Sequence, residues 1–129
     1  MHAPCAASTV PASDPQETWP VGLNADLHCH SVVSDGTLTP DELARRALGN
    51  GVQLWSLTDH DEVGGQAQAA QAARSIGLPF LTGVEVSVTF ADATVHIVGL
   101  GFDDTDTQLL QGLYATVSYT HLTLPTNRE

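Results

Sequence analysis

Residues 39–58 read TPDELARRALGNGVQLWSLT, a helix followed after a three-residue break by a strand. Thr39 is placed to cap the helix, Pro40 fills its first position, and Asp41 and Glu42 bring negative charge to the first turn, where unpaired N–H groups favour it. Leu43, Ala44, Ala47 and Leu48 recur at helical spacing, and Gly49-Asn50-Gly51 stops the helix. Val52 to Thr58 then reads as a strand that runs into Asp59-His60-Asp61.

The same rhythm extends both ways. Upstream, Asn24 to His28 reads as a first strand leading into the polar loop SVVSDGTLT. Downstream, an Ala- and Gln-rich helix spans Gly65 to Ser75, with Gly77 as its stop, and Leu78 to Val84 is a third strand. Val86 to Phe90 and Thr94 to Leu100 read as a hairpin around Ala91-Asp92-Ala93. Strands alternating with helices over short loops imply parallel βαβ units and an α/β class. Three such strands are too few to close a barrel, so the architecture is begun and not finished.

The flanks differ in character. Residues 1–22 carry Pro4, Pro11, Pro15 and Pro20 between Ala and Ser residues and read as a disordered leader. Residues 23–116 form the organised part. Residues 117–129, VSYTHLTLPTNRE, do not continue the rhythm. They resemble a translated sequencing-adapter string and read as non-native sequence; the alternative is a native disordered tail.

Composition narrows the function. The chain has 129 residues, 42% hydrophobic and 15% charged, which suits one soluble domain. Nothing approaches the roughly 18 consecutive apolar residues of a membrane helix, and the first ten residues lack the basic start of a secretory signal. Cys5 and Cys29 are too few for a disulfide framework, which points to the cytoplasm. With 4 Lys+Arg against 15 Asp+Glu, a net charge of −11, a broad basic surface for nucleic acid is excluded. If a substrate carries phosphate, bound cations must supply the positive charge.

The chemistry concentrates in five short motifs. In Asp26-Leu27-His28-Cys29-His30-Ser31, His28 and His30 lie two apart, so both imidazoles project from one side of an extended segment and can meet one divalent cation. Cys29 then points the other way, into packing, and Asp26 can accept a ring N–H and orient one histidine. In Ser34-Asp35-Gly36, Asp35 offers a hard oxygen ligand on a backbone that Gly36 allows to turn sharply.

Thr58-Asp59-His60-Asp61 closes the second strand, where parallel α/β folds gather their functional residues. His60 is the candidate ligand there. Asp59 and Asp61 are candidate catalytic carboxylates: they can orient His60, take a substrate-side proton, or cap the next helix. Glu85, in Gly83-Val84-Glu85-Val86-Ser87, interrupts an apolar run where an unpaired carboxylate is costly. A cation removes that penalty and makes Glu85 a natural bridging ligand; the basic alternatives are only Arg45, Arg46, Arg74 and Arg128. His96 stands alone in the apolar strand Thr94–Leu100, and such residues are more often hydrogen-bonded core groups than ligands. His2 and His121 fall in the leader and the tail and are set aside.

Taken in order, DLHCHS, SDG, TDHD, GVEVS and HIVGLGFD resemble the PHP superfamily, named for polymerase and histidinol phosphatase. The resemblance covers about residues 23–105 and is nearest to nucleoside 3′,5′-bisphosphate phosphatases and 5′-to-3′ exoribonucleases. It implies a distorted seven-stranded β/α barrel, of which this chain is an N-terminal part. It further implies two or three divalent ions (Mn, Zn or Fe) at the strand C-terminal ends. The ligands it implies are His28, His30, Asp35, His60, Glu85 and His96, with Glu85 bridging. The implied activity is metal-assisted hydrolysis of phosphate esters in a small molecule, a nucleotide or a short RNA. The family also places a later His and an Asp-x-His pair downstream; no Asp-x-His follows Gly101 here. Histidinol-phosphate phosphatase, a catalytically incomplete metal-binding fragment and a polymerase-associated domain are the competing readings.

Overall fold

The computed structural model describes residues 22–123, with side chains described as far as residue 115. The leader expected over 1–22 lies outside the described residues except for Gly22, as do residues 124–129. The elements run β1 (Ala25–Asp26), α1 (Pro40–Gly49), β2 (Leu54–Leu57), α2 (Gln66–Ser75), β3 (Phe80–Phe90), β4 (Ala93–Leu100) and α3 (Thr107–Thr123). Among the described residues the strands form one sheet of order β1-β2-β3-β4. β1 to β3 are parallel, and β3 and β4 form the antiparallel hairpin.

α1 begins as its sequence dictates. The Thr39 hydroxyl accepts from the Glu42 N–H (3.3 Å) while the Glu42 carboxylate accepts from the Thr39 N–H (2.9 Å), a reciprocal capping box. Ala44 and Ala47 face inward, whereas Leu48 stays exposed. Their small side chains let α1 lie close to Ala69, Ala72 and Ala73 of α2, and Val52, Trp55, Leu57 and Leu78 fill the space between helices and sheet. Burying a side chain the size of Leu57 contributes about 1.5–3 kcal/mol.

The strand boundaries shift: β2 keeps only Leu54–Leu57 of the expected Val52–Thr58, and two other changes bear on the site. The first strand shrinks to Ala25–Asp26, because beyond it Thr58 takes over the pairing. The Thr58 N–H donates to the Cys29 carbonyl (2.9 Å), and its hydroxyl accepts from the Cys29 N–H (3.1 Å). The third strand and the first hairpin arm are one strand, β3, so Glu85 sits in mid-strand and not at a strand end. β4 pairs with β3 from Gly83↔Leu100 to Phe90↔Ala93 and keeps the chain extended past Glu85. The turn places Ala91 and Asp92 both at positive φ, the backbone of a tight two-residue hairpin.

Two further features lay beyond the sequence reading. Gln66 is almost fully buried and bridges β2 to β3: its amide donates to the Leu57 carbonyl (2.9 Å) and accepts from the Gly83 N–H (3.1 Å). α3 is capped by Asp106, whose carboxylate accepts from Gln108 N–H (2.8 Å) and Leu109 N–H (3.2 Å). This helix runs across residue 117 to Thr123. No described helix is long and apolar enough to cross a membrane.

Cys29 points into packing, as the alternation requires. Its thiol donates to the Ser56 carbonyl (3.3 Å) and accepts from the Trp55 indole N–H (3.3 Å). Burial pushes the thiol up from 9.0 to about 11, against the lowering effect of the Trp55 bond. The folded chain holds this proton more tightly than the unfolded one. Its contribution to stability is therefore present at neutral pH and lost as pH rises from 9.0 toward about 11. Cys29 is expected to resist iodoacetamide at pH 8 until the chain is unfolded. Mass spectrometry of the peptide carrying Cys29 checks this; rapid labelling of the folded chain counts against it.

Candidate metal centre

β3 supplies the floor of the site. Where β2 ends, the chain returns to β3 through one bridge between His60 and Glu85. The Glu85 N–H donates to the Asp59 carbonyl (3.1 Å) and the Asp61 N–H donates to the Glu85 carbonyl (2.9 Å). Glu85 is thereby held on both sides, and its carboxylate stands among imidazoles delivered by three other segments.

All six residues nominated as ligands converge there. Glu85 Oε2 lies 2.9 Å from His28 Nε2, 3.0 Å from His30 Nε2 and 3.7 Å from His60 Nδ1. Glu85 Oε1 lies 3.9 Å from His96 Nδ1. Asp35 closes the other side, 3.7 Å from His30 Nδ1 and 3.5 Å from His60 Nε2. Three donor groups result: His28, His30 and Glu85; His30, Asp35 and His60; His60, Glu85 and His96. The Glu85 side chain is 8% exposed, whereas His28 is 53% and Asp35 67% exposed, so the cluster has a buried floor and a rim open to solvent.

These donors fit divalent cations. His28 Nε2 and His30 Nε2 are 3.2 Å apart, close to the roughly 3.4 Å between donors held about 2.1 Å from one tetrahedral ion. His30 Nδ1 is buried without a hydrogen-bond partner, a condition that costs about 1–3 kcal/mol unless something binds it. Among the described residues every ion-pair partner of Glu85 is a histidine, and no arginine neutralises it. Burial pushes the Glu85 carboxyl up, but the His28 bond and the charges of His60, His28 and His30 outweigh it and hold the group below its ordinary value.

The supporting carboxylates behave differently from expectation. Asp26 accepts from the His28 backbone N–H (3.4 Å), not from a ring. Asp59 is fully buried, and its carboxylate is occupied by the Ser31 N–H (2.6 Å), the Ser31 hydroxyl (2.7 Å) and the Ser34 hydroxyl (2.8 Å). Asp61 caps no helix, since the N-cap of α2 is Gly65; its carboxylate accepts from the Ser87 N–H (2.7 Å). Among the described residues neither joins a donor group. In the structure both carboxylates hold neighbouring segments, Asp59 the Ser31–Ser34 loop and Asp61 the Ser87 backbone. Sequence reading also missed Ser87, whose hydroxyl lies 3.1 Å from His96 Nδ1.

The PHP domain model matches residues 26–128. The chain belongs to the PHP domain family. Within that family it is 56% identical over 90 residues to a 3′,5′-nucleoside bisphosphate phosphatase of Chromobacterium violaceum, covering 70% of this chain and 32% of the relative. It is 48% identical over 89 residues to a 5′-3′ exoribonuclease of Haemophilus influenzae, covering 67% of this chain and 32% of the relative. The chain thus spans about a third of the length of these curated relatives.

Among solved structures, an amidohydrolase of Chromobacterium violaceum with bound sulfate and no metal superposes with TM-score 0.69 at 54% identity, over 71% of this chain and 32% of that one. A proposed metal-dependent phosphoesterase of Bifidobacterium adolescentis gives TM-score 0.69 at 29% identity, over 84% of this chain and 42% of that one. The curled sheet with its helices is therefore an incomplete PHP barrel, as the five motifs implied.

Proposed function

We propose that this chain is part of a metal-dependent phosphoesterase that hydrolyses phosphate esters of nucleotides or RNA ends, such as nucleoside 3′,5′-bisphosphates. The observation that carries the reading is the convergence of His28, His30, Asp35, His60, Glu85 and His96 into three linked donor groups. Two or three divalent ions held there (Mn, Zn or Fe) supply the Lewis acidity that activates a water and offsets phosphoryl charge. Glu85 would be the residue to bridge such ions, since it belongs to two of the groups, and His30 and His60 link each of these to the group that holds Asp35. The exposed rim formed by His28 and Asp35 leaves a face for substrate. A net charge of −11 removes the alternative of meeting phosphate with a basic surface. The nucleotide preference rests on the names of the relatives at 56% and 48% identity. With only Cys5 and Cys29, the chain suits a reducing compartment such as the cytoplasm.

The test is manganese-dependent phosphate release from adenosine 3′,5′-bisphosphate by the chain extended to the length of its relatives. Release is expected, with a His28→Ala variant at background; no release above that variant sinks the proposal, and preference for histidinol phosphate redirects it. The second reading, a metal-binding fragment without turnover, rests on the chain spanning about a third of the length of its relatives. It predicts that the 129-residue chain binds metal and hydrolyses nothing.

A further inference from the structure

We propose that Asp59 and Asp61 make the Asp-His-Asp tripeptide a double clamp that positions ligands on two other segments, one on each side of His60. The inference rests on the metal-centre reading above and adds residues to it. Asp59 reaches back 28 residues: its buried carboxylate gathers the Ser31 N–H and both serine hydroxyls, and so seats the loop whose next residue is Asp35. Asp61 reaches forward 26 residues to the Ser87 N–H (2.7 Å), and the Ser87 hydroxyl meets His96 Nδ1 (3.1 Å). The backbone between them pins Glu85 from both sides. One tripeptide therefore contributes His60 and fixes Asp35, Glu85 and His96.

The conformation of Asp61 supports this role. Its φ is 51°, a left-handed backbone that few non-glycine residues adopt but that aspartate tolerates best with asparagine and histidine. Such a conformation persists only where the surroundings impose it; here the Asp61 side chain is tied to Ser87 and its N–H to the Glu85 carbonyl. Asp59 lies just under the start of α2, where a Cβ on Gly65 would come within 3.3 Å of Asp59 Oδ2. Three donors satisfy this buried carboxylate.

Both clamps are positioning devices, and their loss is read through the residue they position. Ser34→Ala removes a hydroxyl that Asp59 holds, and Ser87→Ala removes the hydroxyl through which the Asp61-held backbone reaches His96; both leave every donor in place. Zinc titrations of the 129-residue chain by calorimetry are expected to show affinity about 10–100-fold weaker in each, the usual effect of removing an outer partner of a ligand. The loss from Ser34→Ala is expected to vanish when measured in an Asp35→Ala background, and that from Ser87→Ala in a His96→Ala background. Equal losses in both backgrounds mean a general structural role and overturn the proposal, as does unchanged affinity in both single variants. If the unsubstituted chain binds no zinc, the metal-centre reading itself fails and the clamp falls with it.

Discussion

Replacing Glu85 with alanine is expected to weaken zinc or manganese binding by more than about 100-fold, beyond what loss of an outer partner costs, and to eliminate phosphate release in the extended enzyme. No other substitution touches so much of the centre. Glu85 Oε2 meets His28, His30 and His60, and Oε1 faces His96. Its removal deletes the acidic member of two of the three donor groups and leaves four imidazoles around an empty floor. Glu85→Gln separates charge from shape: it keeps the volume and one carbonyl oxygen, so the fold should survive while metal affinity still falls steeply. Titration calorimetry with each variant decides the matter, and wild-type affinity in Glu85→Gln would refute a bridging role.

The same residue carries a pH signature in the metal-free chain. Its carboxyl is held below the ordinary value in the folded state. The folded chain therefore binds this proton less readily than the unfolded one. The stability it contributes is present above the unfolded value and lost as pH falls through the depressed folded value. Glu85→Ala should flatten that acid limb in thermal melts collected between pH 3 and pH 6, where the unfolded carboxyl titrates (about 4.3).

What the sequence disclosed was what lies close along the chain. His28 and His30 share a side because extended backbone alternates, and the structure brings their Nε2 atoms within 3.2 Å. The Thr39 capping box is a four-residue signal and formed as written. Contacts over longer separations stayed hidden. Gln66 carried no separate signal within the Ala- and Gln-rich helix, yet it is buried and bonds the Leu57 carbonyl and the Gly83 N–H. Asp59 and Asp61 read as catalytic because acids beside a ligand histidine suggest proton transfer. Only the fold reveals that their partners are serines 28 residues back and 26 residues ahead. β3 read as two strands since Glu85 breaks the apolar run, but a residue that faces a polar cluster need not end a strand. α3 was not assigned at all, although Asp106 followed by Leu109, Leu110 and Leu113 carries a cap and an apolar spacing.

Gly36→Ala is expected to cost about 1–3 kcal/mol of stability, the range for forcing atoms into filled space, and to weaken metal binding as far as Asp35→Ala does. The sequence suggested that glycine allows a sharp turn here, but Gly36 is not among the residues at positive φ. Its requirement is proximity. A Cβ at this position would stand 2.0 Å from the His30 carbonyl oxygen, 2.5 Å from its carbon and 2.9 Å from the Ser31 carbonyl carbon. All three are backbone atoms, so no side chain can rotate away, and the loop itself must retreat by about 1 Å or more to relieve the overlap. That retreat strains the Gly36 N–H to Ser31 carbonyl bond (2.8 Å) and the Ser34 N–H bond to the same carbonyl (3.1 Å). Asp35 lies between those anchors, and a shift of about 1 Å in a reacting group is enough to cost about 100-fold in rate. The group of His60, Glu85 and His96 lies on other segments and should keep its affinity. Gly49→Ala is the matched control, because a Cβ there meets nothing within 4 Å. Thermal melts and zinc titrations of both variants test the argument, and a Gly36→Ala chain with wild-type affinity would show that the loop does not hold Asp35 in place.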